Sequence, residues 1–339
     1  MFKLKRFVLK FCENILNILL SKCYNSAMEN QNLGLLPSYG QLLEEMGRQL
    51  NKRKLLLAKR IFLVVWPYLL LVIVGYIFNR FYDIEAIVSA NSLLFFVCFG
   101  LYLLLAGIYS IIMRFILTIE KQIWVDSYFD NKNLEPKDSW RIARKLFWPG
   151  FKFRLRILIR FFFVPILVSL VVIIVIAYVS YQFINDSKLL PSVFISIVFL
   201  FAIGFLIYSY YLKVKLRYSW FIFLDNFGKS YTFEMVMTDL NKLNEVSKTE
   251  TFKKSLIVNL GTDTVKGIAL LAVRNISRGI SALGSTGQLF GSLFRIYGEE
   301  MTRQVTDLAN ISAQYMMYRF ARKAAYGEEQ SVNESVYGL

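Results

Sequence analysis

Apolar positions gather in four runs, 61–78, 92–113, 161–184 and 192–212, and none of them contains Asp, Glu, Lys or Arg. A helix of about eighteen or more such residues spans the hydrocarbon core of a bilayer. The pattern therefore predicts four transmembrane helices. Only short polar stretches, 79–91 and 185–191, separate the members of each pair. Each pair is accordingly expected to be an antiparallel hairpin.

The polar segments carry helical periodicity of their own. In 2–20, Leu4, Phe7, Val8, Phe11, Ile15, Ile18 and Leu19 recur at helical spacing, which predicts an amphipathic helix on the membrane surface. A secretory signal fits less well, because Lys10, Glu13, Asn14 and Asn17 interrupt its core, and a mitochondrial leader less well still. Residues 24–40 read as a linker, and 41–60 as a polar helix with a basic end that runs into the first span. Two surface helices, 137–147 and 232–245, follow the hairpins. Beyond residue 250 the chain changes character. Val265, Ile268, Ala269, Ala272, Ile276, Ile280 and Leu283 mark an amphipathic helix whose Asp263, Lys266, Arg274 and Arg278 make it a poor span. The Gly/Ser-rich stretch 281–292 predicts flexibility or a tight helix contact, and 299–325 another helix. The expected class is thus an all-α integral membrane protein with four transmembrane helices in two antiparallel hairpins, cytoplasmic amphipathic helices and a helical C-terminal tail. Its units are 1–60, 61–148, 149–250 and 251–339.

Charge sets the orientation. The chain of 339 residues is 56% hydrophobic yet carries a net charge of +16, and its mean hydropathy is +0.45. Of its 40 Lys and Arg, only Arg80 and Lys188 lie in the two short connections. The positive-inside rule then puts both termini in the cytoplasm, with the bacterial inner membrane as the expected location. The basic balance sits beside apolar spans and no nucleic-acid signature is present, so anionic phospholipid rather than nucleic acid is the expected partner.

The densest cationic stretch is 139–160. Arg141, Arg144, Lys145, Lys152, Arg154, Arg156 and Arg160 alternate there with Trp140 and Trp148. Aromatic rings and cations side by side suit the headgroup layer. Pro149-Gly150 is expected to break any helix, making a basic elbow that lies on the membrane.

The two hairpins also resemble each other. Pro67 and Pro165 occupy similar points, and Trp124 and Asp130-Asn131 find counterparts in Trp220 and Asp225-Asn226. An internal duplication is the expectation. Arg217-Tyr218-Ser219-Trp220 with Leu224-Asp225, and Ser139-Trp140-Arg141 with Lys145-Leu146-Phe147-Trp148, carry a further likeness. Residues 61 to about 250 resemble bacterial multi-pass proteins similar to the membrane domain associated with glycerophosphoryl diester phosphodiesterases. That resemblance implies membrane architecture and little chemistry, since no phosphodiesterase catalytic domain is attached. Residues 232–245 depart from it, having no matching Ser and basic helix.

Chemistry is sparse. The chain has no histidine, which removes the commonest general base and metal ligand, and its three cysteines have no metal-site spacing. Gly284-Ser-Thr-Gly287 lacks the Lys of a phosphate loop. No catalytic residue, cofactor or metal is expected. Asp126, Asp130, Asp225, Glu234 and Asp239 are the carboxylates that could converge, with caps and ion pairs the preferred reading. The favoured function is a non-enzymatic membrane scaffold or assembly subunit. It would bind anionic lipid, and protein partners or itself through the C-terminal helices. The alternative is a subunit of an oligomeric transporter or channel, with Tyr76, Tyr102, Tyr109, Tyr178 and Tyr208 as lining groups; a lipid-modifying enzyme comes third.

Overall fold

Two long helices lead the fold, α1 (Tyr39–Phe81) and α2 (Ser92–Phe129), and each is apolar over one half and polar over the other. The computed structural model describes residues 37–81, 92–129, 134–183, 189–227, 232–246 and 248–326. Among them every regular element is helical, and five helices are long and apolar enough to cross a membrane. The calls on 2–20, on the two connections between spans, on Asp130-Asn131 and on the last residues from 327 fall wholly or largely outside the described residues.

Helices α1 and α2 run antiparallel. Tyr109 Oη donates to the carbonyl of Leu63 at 3.0 Å, Ser110 Oγ to that of Val64 at 3.0 Å, and Tyr102 Oη to that of Pro67 at 2.6 Å. The first of these bonds answers a sequence necessity. Pro67 has no N–H to give the carbonyl four residues before it, and Tyr109 supplies the missing donor. The second pair, α5 (Val164–Phe183) and α6 (Leu189–Lys215), repeats the device. Pro165 stands 98 residues after Pro67, and the carbonyl of Phe161 accepts from Tyr208 Oη at 3.0 Å. The backbone there widens into a π-helical segment, Ile159–Phe163, a local answer to a proline in a helix.

Burial is inverted between the two halves of the long helices. Phe96, Leu104 and Ile111 on α2, and Phe199, Leu200 and Ile207 on α6, are each at least 60% exposed. Past residue 115, α2 turns inward: Ile116, Leu117, Ile119, Glu120, Lys121, Ile123, Trp124 and Val125 are all buried. An apolar exterior of that extent has no place in water. The buried halves pack with α3 (Pro136–Lys145), α4 (Phe147–Leu158), α7 (Ser219–Asp225), α8 (Phe233–Glu245), α9 (Lys248–Ser281) and α10 (Ser285–Tyr326). Helix α8 is capped as its sequence suggests, Thr232 Oγ1 accepting from the Met235 N–H at 3.3 Å.

The C-terminal region differs most from expectation. It is no separate tail but an antiparallel hairpin, in which α10 lies between α9 and α1. The turn is confined to 282–284, with Gly284 at φ 92°. The glycine-rich stretch makes the tight contact instead of a flexible segment. A Cβ on Gly287 would overlap the carbonyl of Ile280, and one on Gly291 would overlap Ser281 Oγ and sit 2.8 Å from the carbonyl of Ser277. Helix α9 also supplies the fifth apolar segment, Phe252–Ser281, despite its charges.

Candidate lipid interface and buried ionic network

The basic stretch folds into α3 and α4. Pro136 opens α3 at a position where its missing N–H costs nothing, Asp138 lies in the first turn, and Arg144 and Lys145 lie in the last, as the helix dipole favours. The break between the helices comes at Leu146, not at Pro149-Gly150. Both of those residues sit in the first turn of α4, where a proline removes no intrahelical bond. Gly150 has a different reason to be there: a Cβ would stand 2.5 Å from Cη2 of Trp220. The glycine lets α7 close onto α4.

The nine residues singled out by sequence divide three ways. Trp140 is covered by the guanidinium of Arg60, 4.2 Å above its ring. Arg141 pairs with Asp138 at 2.9 Å, and Arg160 with Glu234 at 2.6 Å. Arg154 stacks against Phe115 and Trp220, at 4.8 and 4.9 Å. All seven cations are exposed, and an outer edge runs along them. Trp148, Lys152 and Arg156 are exposed at i, i+4 and i+8 on α4, with Arg144 and Lys145 exposed at the end of α3. Phe151, Leu155 and Leu158 are exposed beside them. The inner side of α4 is held by Phe153, which stacks on Phe223 at 4.7 Å.

A second set of polar residues lies inside, of which sequence reasoning singled out only Asp126 and Asp225. Glu120, fully buried, receives Arg60 Nε and Nη2 at 3.0 Å each and Ser139 Oγ at 2.9 Å; Trp124 Nε1 in turn donates to Ser139 Oγ at 3.0 Å. Further along α2, Arg114 grips Glu300 of α10 with two nitrogens, at 3.0 and 2.7 Å. Gln304 Nε2 donates to Glu300 at 2.7 Å, and buried Lys121 donates to Gln304 Oε1 at 2.8 Å. Asp307 stands 3.7 Å from Lys121 and 3.6 Å from Lys266. At the far end, Tyr315 donates to Asp126, and Tyr318 and Arg322 both donate to Asp225.

Two aspartates 99 residues apart thus meet neighbouring turns of one helix. Burial, and Asp225 beside it, hold the Tyr318 phenol well above the ordinary tyrosine range. Burial would lower Arg322, but Tyr318 and Asp225 outweigh it and leave that guanidinium raised. Tyr326, which donates to Asp239 at 2.9 Å, is pushed up to about 12 by burial and that bond.

Chemically the network pairs opposite charges rather than presenting one sign to a ligand. Buried ions of this kind fix the register of packed helices, because shifting α10 by a turn would leave several of them unpaired. Of the five carboxylates considered together, Glu234 and Asp239 go to separate partners, Arg160 in the π-helical segment and Tyr326 at the end of α10. Comparison of the chain with family models, with curated proteins and with solved structures gives no match in any of the three.

Proposed function

We propose that the chain is an integral membrane scaffold or assembly subunit of a bacterial inner membrane. In this reading the apolar halves of α1, α2, α5 and α6 are four spans in two antiparallel hairpins, and both termini are cytoplasmic. The observation that carries it is the two-sided character of α2. One continuous helix has an apolar exposed half and a half sealed into an ion-paired bundle, so membrane anchor and bundle form one rod. Trp148, Lys152, Arg156, Arg144 and Lys145 would rest on anionic headgroups, rings at the boundary and cations on phosphate. Ile257 and Leu260, exposed on α9, offer a surface to a protein partner or a second copy. The likeness to the membrane domain associated with glycerophosphoryl diester phosphodiesterases belongs to the same proposal, as architecture alone.

The transport alternative draws less support. Tyr102, Tyr109 and Tyr208 are spent on backbone carbonyls, Tyr76 lies 3.5 Å from Thr286, and Tyr178 is exposed on the outer face of α5. The test is affinity purification from native membranes in mild detergent, with native mass spectrometry. A stoichiometric partner or homo-oligomer retaining anionic phospholipid is expected, with less lipid retained by Arg144→Gln/Lys152→Gln/Arg156→Gln. A monomer indifferent to lipid charge would overturn the reading.

A further inference from the structure

The α9–α10 hairpin does not stop where the spans begin. Asp263 of α9 is tied to the end of α6, accepting from Tyr210 Oη at 2.9 Å and from Lys213 Nζ at 2.8 Å. From there α9 continues for eighteen more residues, about 27 Å at 1.5 Å per residue, in the direction of the apolar half of α1. The return leg fixes the depth. Tyr297 Oη donates to the carbonyl of Ala58 at 3.0 Å, and Thr286, near the tip, lies 3.5 Å from Tyr76 Oη, in the last turn of the first apolar run. The tip therefore stands beside a span instead of below it.

Its composition suits that depth. Residues 279–294 contain no Asp, Glu, Lys or Arg, while Arg274, Arg278 and Arg295 flank them on both legs. Leu283, at the turn, is 79% exposed, and Phe290 is 57% exposed. Towards the base, Glu299 accepts from Arg274 at 2.9 Å and from Arg295 at 3.1 Å, so one carboxylate joins the two legs below the tip. The legs pack through Gly287 and Gly291, a close small-residue contact of the kind that holds helices together in lipid, and Ser277 Oγ is satisfied by the carbonyl of Gly291 at 2.8 Å. Yet the segment cannot be an ordinary crossing, because the chain reverses at Gly284 and α10 returns to the bundle.

We infer that residues 279–294 form a re-entrant hairpin that enters the bilayer from the cytoplasmic side and lies against the apolar run of α1, with Leu283 and Phe290 facing acyl chains. The inference rests on the reading that the apolar half of α1 crosses the membrane. It adds a third element embedded from the cytoplasmic side.

The test is spin-label depth measurement on the full chain in nanodiscs containing anionic lipid, with Cys12, Cys23 and Cys98 replaced by Ser. Labels are placed one at a time through Leu283→Cys, Phe290→Cys, Phe199→Cys and Lys323→Cys, and collisions with oxygen and with a water-soluble nickel chelate are compared. The label at Leu283 is expected to lose nickel accessibility while keeping oxygen accessibility, as at Phe199 and unlike Lys323. Nickel access at Leu283 with Phe199 still shielded would overturn the re-entrant hairpin and leave the spans standing. Shielding from both reagents at Leu283 would also overturn it, since the tip would then be covered by protein. Nickel access at Phe199 would remove the membrane reading and the inference together.

Discussion

Replacing Glu120 by Ala should unseat α3 and α1 from α2, and the structure gives the size of the effect. The carboxylate is fully buried and receives two nitrogens of Arg60 and the Ser139 hydroxyl. Removing one partner of a buried ion pair costs about 3–5 kcal/mol, chiefly because the other charge is left behind. Arg60 keeps two other contacts, the carbonyl of Pro136 at 2.9 Å and the Trp140 ring, and its side chain is 15% exposed. The lower end of the range therefore applies, about 3 kcal/mol. Glu120→Gln retains the shape and one acceptor oxygen, and should cost about 1–2 kcal/mol. The assay is reversible unfolding in mixed micelles followed by tryptophan fluorescence, since Trp124 lies in the network. In a double-mutant cycle with Arg60→Leu, the coupling should be about 1–3 kcal/mol. Additive effects, or an E120A variant within about 0.5 kcal/mol of the parent, would refute the assignment of Glu120 as the pinning group.

Three further outcomes are expected. Gly291→Leu should separate the legs of the C-terminal hairpin, since even a Cβ overlaps Ser281; a loss of about 1–3 kcal/mol by the same unfolding assay is expected, and full stability would contradict the packing. Tyr208→Phe should cost about 1–2 kcal/mol by withdrawing the donor that serves the Phe161 carbonyl, and Tyr109→Phe should behave alike in the first hairpin; silence in both would discount the proline–tyrosine device. Raising the pH should loosen the C-terminal end of α10. The Tyr326 and Tyr318 phenols bind their protons more tightly folded than unfolded, so their contribution is whole below about pH 10 and is lost as pH rises through about 12. Tyrosinate absorbance beside near-UV circular dichroism reads this, and ionisation of all tyrosines together near pH 10 with no change in packing would refute it.

The apolar runs were legible because lipid-facing helices need unbroken apolar sequence, and the polar start of α1 was legible from its charged periodicity. The elbow was legible in composition but not in geometry. Arg141, Arg154 and Arg160 looked equivalent to Lys152 and Arg156, and only packing distinguishes a cation held by Asp138, Phe115 or Glu234 from one on the outer edge. The most buried face of α10 runs through Glu300, Gln304, Leu308, Ser312 and Tyr315. A search for apolar periodicity passes over Glu300 and Gln304, although their i, i+4 spacing in line with Leu308 and Ser312 was a usable sign. The pairing of Asp126 and Asp225 with one helix could not be read at all, because it depends on contacts across 189 and 93 residues.

The central claim, an ion-paired cytoplasmic bundle continuous with membrane-crossing helices, is tested most directly by labelling in intact cells. Single cysteines are introduced by Arg80→Cys at the end of α1, Arg144→Cys on α3 and Lys323→Cys on α10, in a chain whose own cysteines are replaced by Ser, and treated with a membrane-impermeant maleimide. The account requires Arg80→Cys to be labelled from outside and the other two only after the membrane is opened. Labelling of all three from the same side would contradict it.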